Sequence, residues 1–126
     1  MNGELRVLFP QVKTKNIFVF ETKLFSPEDK LIMAPMQNLT GYLFRNAYDK
    51  LFPNIIDKAI TPFISITHGS NSFSKRKFRD VLKENNTSNL EIIPQVLGND
   101  INAMIEIAEA LFSLGYKEMN LNLGCP

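Results

Sequence analysis

Four side chains in the second half of the sequence have types and spacing suited to chemistry: Gln95, Asn120, Asn122 and Cys125. Asn120 and Asn122 alternate with Met119, Leu121 and Leu123, so on an extended strand the amides share one face and the apolar residues the other. Amides gathered in an interior need partners, because each carries both a donor and an acceptor. A flat imide such as a flavin or a pyrimidine supplies the complement; the blander alternative is that Gln95, Asn120 and Asn122 satisfy backbone groups or one another. Cys125 stands between Gly124 and Pro126 at the end of that strand. A thiol there can transfer a proton or attack as a nucleophile, or simply serve as a small apolar residue.

Positioning such residues requires a scaffold of alternating elements. Leu31 to Ala34 reads as a short strand running into Pro35-Met36, and Thr40 is placed to cap a following helix. Leu43, Phe44, Ala47, Tyr48, Leu51 and Phe52 fall on one stripe of that helix. Lys58 to Thr67 has strand composition with Pro62 inside it, and HGSNSFSKRKFRD, residues 68–80, reads as loop. Glu91 to Leu97 forms the next strand. Asp100 is a good N-cap for a helix from Ile101 to Leu114, and Gly115 a left-handed stop. Ile101, Met104, Ile105, Ala108, Leu111 and Phe112 form one wide apolar face of that helix. Ahead of all this, Asn16 to Phe25 reads as a strand or hairpin, giving an N-terminal extension over residues 1–30 and a main domain over residues 31–126.

Strands alternating with helices argue for an α/β fold with a parallel sheet, either open and doubly wound or a (β/α)8 TIM-type barrel. No glycine-rich dinucleotide or triphosphate loop follows any strand. Instead Pro35-Met36, Gln95 and Gly124-Cys125-Pro126 each fall at the C-terminal end of a different strand, where barrel enzymes build their sites. The expectation is the N-terminal half of a barrel, about four βα units, with open edges that could self-associate.

Composition sets the outer limits. The 126 residues are 44% hydrophobic and 21% charged, enough for one core, and a net charge of +1 makes no electrostatic demand for nucleic acid. One cysteine and one histidine allow no internal disulfide and no cysteine-rich metal centre. No apolar run spans a bilayer and no signal peptide is recognisable, so a cytoplasmic protein without a membrane partner is expected. His68 reads as a loop residue. Lys75, Arg76, Lys77, Arg79 and Lys83 could hold phosphates or form a solvated charged face.

Three ordered segments carry a resemblance. APMQNLTGYLFRN (34–46), PQVLGND (94–100) and NLNLGCP (120–126) resemble motifs of the tRNA-dihydrouridine synthases. That resemblance covers about Leu31 to Pro126. It implies an FMN-dependent oxidoreductase that reduces the C5–C6 bond of uridines in tRNA, with NADPH as reductant, on a (β/α)8 barrel followed by a helical RNA-binding domain. It further implies that Pro35 and Met36 lie against the flavin, that Gln95 bonds its pyrimidine-like edge, and that Asn122 helps to hold flavin and uracil. Cys125 becomes the general acid; no metal is implied. Gly41 departs from the acidic or amide residue common there in the family. The resemblance places further flavin ligands and the RNA domain beyond Pro126, so the isolated chain is expected to bind FMN weakly and to be inactive. A related FMN barrel of the dihydroorotate dehydrogenase kind would share the amides but not the N-x-G-C-P ending, and a noncatalytic half-barrel assembly module is the third alternative.

Overall fold

The computed structural model describes residues 28–66 and 74–124; the expected strand or hairpin at 16–25, His68, Cys125 and Pro126 lie outside the described residues. The described chain is α/β, with strands β1 (Ile32–Met33), β2 (Lys58–Ile60), β3 (Ile64–Ser65), β4 (Glu91–Ile93), β5 (Gln95–Leu97) and β6 (Asn120–Asn122). Two helices, α1 (Tyr42–Leu51) and α2 (Ile101–Ser113), accompany them.

All pairings are parallel, in two three-stranded sheets ordered β1-β2-β4 and β3-β5-β6. Prolines divide what the sequence suggested were two longer strands. Pro62 separates β2 from β3 and Pro94 separates β4 from β5, and neither has an N–H to give to the ladder. The register also shifts there: Ile60 pairs with Ile93 but Ile64 with Val96, so three residues face two, as in a bulge. Thr61, fully buried, closes the gap, its N–H donating to Ile93 O and its Oγ1 accepting from Gln95 N at 3.1 Å. A side-chain oxygen thus replaces the missing backbone acceptor. Each strand run pairs with the run before it in sequence, an order consistent with a partial barrel.

The connection from β3 to β4 departs from expectation. Phe78, within the stretch 68–80 read from sequence as loop, joins the following Val81 and Leu82 in the core, packed with Ile64, Val96, Ile107 and Leu111. Consecutive turns, with Leu82 N bonding Phe78 O at 3.1 Å, do there what a helix would do elsewhere.

The helices also turn unexpected faces inward. In α2, Ala103, Ile107 and Leu111 are buried, whereas Ile101 and Phe112 are 72% and 75% exposed. The helix is therefore apolar on two sides, and the face read from sequence is the wrong one: of its residues only Leu111 is buried, while Ala103 and Ile107, which it omits, meet the core. Its ends follow expectation: Asp100 Oδ1 accepts Ala103 N at 3.1 Å, and Gly115 has φ +90°. In α1 the apolar stripe points away from the described protein, with Leu43 and Leu51 exposed by 70% and 71%. Its buried residue is Arg45.

Polar bonds explain why α1 lies that way. Arg45 Nη1 donates to Thr40 O at 2.8 Å, while Nη2 donates to Asp80 O at 2.6 Å and Asn86 Oδ1 at 2.8 Å. Asn46 Nδ2 donates to Asn85 O, Asn46 Oδ1 accepts Thr87 N and Ser88 N, and Asp49 Oδ2 accepts Asn89 N. Desolvation holds the Arg45 guanidinium below its ordinary pKa, opposed by the Asp80 charge. At the N-terminal end of the strands, Lys58 bridges Glu91 and Glu118 at 2.9 and 3.0 Å, and Lys30 pairs with Asp57 at 3.0 Å. The opposite end carries the candidate site.

Candidate functional site

Val96 packs into the helix-side core, so alternation turns Gln95 and Leu97 to the other face of the sheet. Register sets Asn120 beside Gln95 and Asn122 beside Leu97. The amides consequently share the face away from the helices. Gln95 is only 7% exposed, and its Nε2 donates to Asn120 Oδ1 at 2.8 Å. Asn122 Oδ1 accepts Gly124 N at 2.9 Å, a local turn that holds the chain just before Cys125. Two of the amides therefore satisfy one another. Gln95 Oε1, Asn120 Nδ2 and Asn122 Nδ2 make no hydrogen bond among the described residues, leaving one acceptor and two donors available.

The Pro35-Met36 segment leaves β1 at the same end. Met36 O accepts Leu39 N and Thr40 N at 3.1 and 3.0 Å, Asn38 adopts φ +63°, and Thr40 Oγ1 accepts Met36 N at 2.8 Å. Thr40 was expected to cap α1, but its hydroxyl is committed to this turn. The N-cap is Gly41, which has no side chain to offer, and Asp80 Oδ1 reaches across to accept Tyr42 N at 2.8 Å. Sequence reading had no local signal for this cap, since Asp80 is remote in the chain.

These contacts form a relay: Arg45 fixes the Thr40 carbonyl, Thr40 fixes Met36, and Met36 stands 57% exposed at the strand end. Gly98, at the end of β5, has φ +149°, and a Cβ there would meet Ile66 Cβ at 2.8 Å. Only glycine allows the β3 and β5 ends to come this close. The structure thus brings Gln95, Asn120 and Asn122 onto one sheet face and fixes Pro35-Met36 at the same end of the neighbouring strands. Among the described residues no group of His, Cys, Asp and Glu could hold a metal ion, and no helix is long and apolar enough to cross a membrane.

Parallel strands paired in chain order, with amide side chains gathered on one face of β5 and β6, define an α/β protein. Residues 32–126 match the family model described as dihydrouridine synthase (Dus). The chain belongs to the dihydrouridine synthase family, whose members are oxidoreductases that modify tRNA. No curated protein matches the chain.

Proposed function

We propose that these strands form the first half of a (β/α)8 barrel that binds FMN and reduces uridine in tRNA to dihydrouridine, with NADPH as the source of electrons. The family match supports the reaction class. The observation that carries the cofactor assignment is the amide set on one face of β5 and β6. Gln95 Oε1 and the Asn120 and Asn122 amide donors, which have no partner among the described residues, suit the alternating donor and acceptors of a flavin or uracil imide.

FMN, when bound, supplies the hydride for uracil C6. The chain's own residues bind and orient. Gln95 and Asn122 hold the imide edges, with Asn120 fixing the Gln95 amide plane. The Pro35-Met36 turn, braced by Thr40, supplies a wall for the ring. Cys125 follows the Asn122–Gly124 turn and donates its proton to C5, completing the addition of hydride and proton across the double bond. The target base must leave its stack to reach this depth. The apolar faces of α1 and α2, and the edges of β1 and β6 that no described strand covers, support closure by further βα units; a second copy would cover them in a self-associated chain.

The test uses the protein in which these strands sit within the closed barrel. Cys125→Ala should leave NADPH-driven flavin reduction nearly intact and slow dihydrouridine formation on tRNA. Equal turnover would remove Cys125 from the acid role.

A further inference from the structure

The charge of this chain is unevenly placed. Between residues 75 and 83 there are five cations and one carboxylate, whereas the remainder holds nine cations against twelve carboxylates. Near-neutral net charge therefore conceals one strongly cationic segment of the sequence.

The structure separates these cations. The Lys83 ammonium lies 2.8 Å from where a Gly115 Cβ would be, at the C-terminus of α2, where a cation complements the helix dipole. Arg76, Lys77 and Arg79 instead line an open cleft of about 360 Å³ with Gln37, Phe63 and Ser74. Gln37 directly follows Met36, so this cleft adjoins the proposed flavin wall. Asp80 also borders it, but its carboxylate already accepts Tyr42 N and lies 3.6 Å from the Arg79 guanidinium. A second depression of about 210 Å³ shares Gln37, Arg79 and Asp80 and continues past Tyr42. Two joined open depressions fit an extended strand better than one small anion. Cations for the backbone and aromatic rings for the bases are the elements of a single-strand track.

We propose that the cleft formed by Gln37, Phe63, Arg76, Lys77 and Arg79 holds backbone phosphates of the RNA strand that carries the target uridine. This rests on the tRNA substrate of the proposed function. It assigns the contact to a segment that the catalytic reading leaves without a role.

The experiment is a salt titration of tRNA binding by the 126-residue chain. Arg76→Gln with Arg79→Gln should weaken binding about tenfold or more near 0.1 M salt and reduce the log–log salt slope by about 1.5. Lys50→Gln with Lys117→Gln removes equal charge elsewhere and should leave affinity and slope unchanged. Arg76→Lys with Arg79→Lys should stay within about threefold of wild type, as point charges still serve phosphates. FMN affinity should be the same in all variants. Equal loss in the Lys50/Lys117 control, an unchanged slope in the arginine variant, loss of FMN instead of tRNA, polyglutamate competing as well as tRNA, or no tRNA binding by wild type would each overturn the proposal. An enzyme that reduces uridine with the arginine variant unimpaired sinks the cleft alone. Binding through these cations by a protein that completes the barrel, without any uridine reduction, sinks the catalytic reading alone.

Discussion

Asp80 Oδ1 accepts the backbone N–H of Tyr42 at 2.8 Å, so the first turn of α1 is capped by a side chain 38 residues further along the chain. A cap is ordinarily local, and here Gly41 occupies the local position without a side chain. The consequence is that the cap also ties α1 to the β3–β4 connection.

Removing this cap should be costly and locally repairable. Asp80→Ala is expected to lose about 1–2 kcal/mol in urea unfolding, and Asp80→Asn, which keeps an acceptor, should lose less. Gly41→Asn should restore part of that loss in the Asp80→Ala background. With Asp80 present it should not help, because a Cβ at Gly41 would lie 3.1 Å from Asp80 Oδ1. Additive effects of the two changes would show that the side chains at 41 and 80 do not influence one another.

Arg45 is the next test, because a fully buried guanidinium joins three separate acceptors. Hydrogen bonds to charged groups contribute roughly 1.5–3 kcal/mol each, and lysine cannot reproduce the planar fork. Arg45→Lys should therefore lose at least about 2 kcal/mol and speed amide exchange at Leu39 and Thr40, whose N–H groups close the Met36 turn. A stable variant with unchanged exchange there would break the proposed relay from Arg45 to Met36.

The order of elements was legible in the sequence because strand composition, the Asp100 cap and the Gly115 stop act locally. So was the alternation that sets Asn120 and Asn122 on one face. What escaped was non-local. The Asp80 cap joins distant segments, and the inward turn of Arg45 depends on carbonyls of residues 40 and 80. Apolar periodicity could not show which of two apolar sides of α2 meets the sheet. Phe78, Val81 and Leu82 did carry a helix-like spacing, but the basic residues around them read as solvated loop. The mutual bond of Gln95 and Asn120 was open as an alternative to ligand binding, and both readings now apply to different atoms of the same amides.

Asn120 separates those two uses of the amide pair. In Asn120→Ala, Gln95 Nε2 loses the acceptor it holds at 2.8 Å on a nearly buried side chain. A loss of about 1–2 kcal/mol in stability is expected, with weaker FMN binding because the Gln95 plane is no longer fixed. Asn120→Asp keeps the acceptor and should retain more of the stability. Fluorescence titration with FMN and urea unfolding on the same samples read the two effects. Full stability together with unchanged FMN affinity in Asn120→Ala would remove the pair from both roles.

Alkaline pH probes the packing of the β3–β4 connection against the end of α2. Tyr116 donates its hydroxyl to Val81 O at 2.5 Å, and desolvation raises its pKa above the ordinary value, opposed by the charge of Arg45. A folded pKa above the unfolded one means that the contribution is complete below about pH 10 and is lost as pH rises through the folded value. Lys58 acts with the same sign, its pKa raised by hydrogen bonds to Glu91 and then Glu118. Tyr116→Phe therefore provides the discriminating variant. At pH 7 it should lose about 1 kcal/mol from the missing hydrogen bond. Its urea midpoint should then fall less steeply between pH 9 and 11 than that of the wild type. A fall as steep as in wild type would assign the alkaline sensitivity to Lys58 and its two glutamates instead.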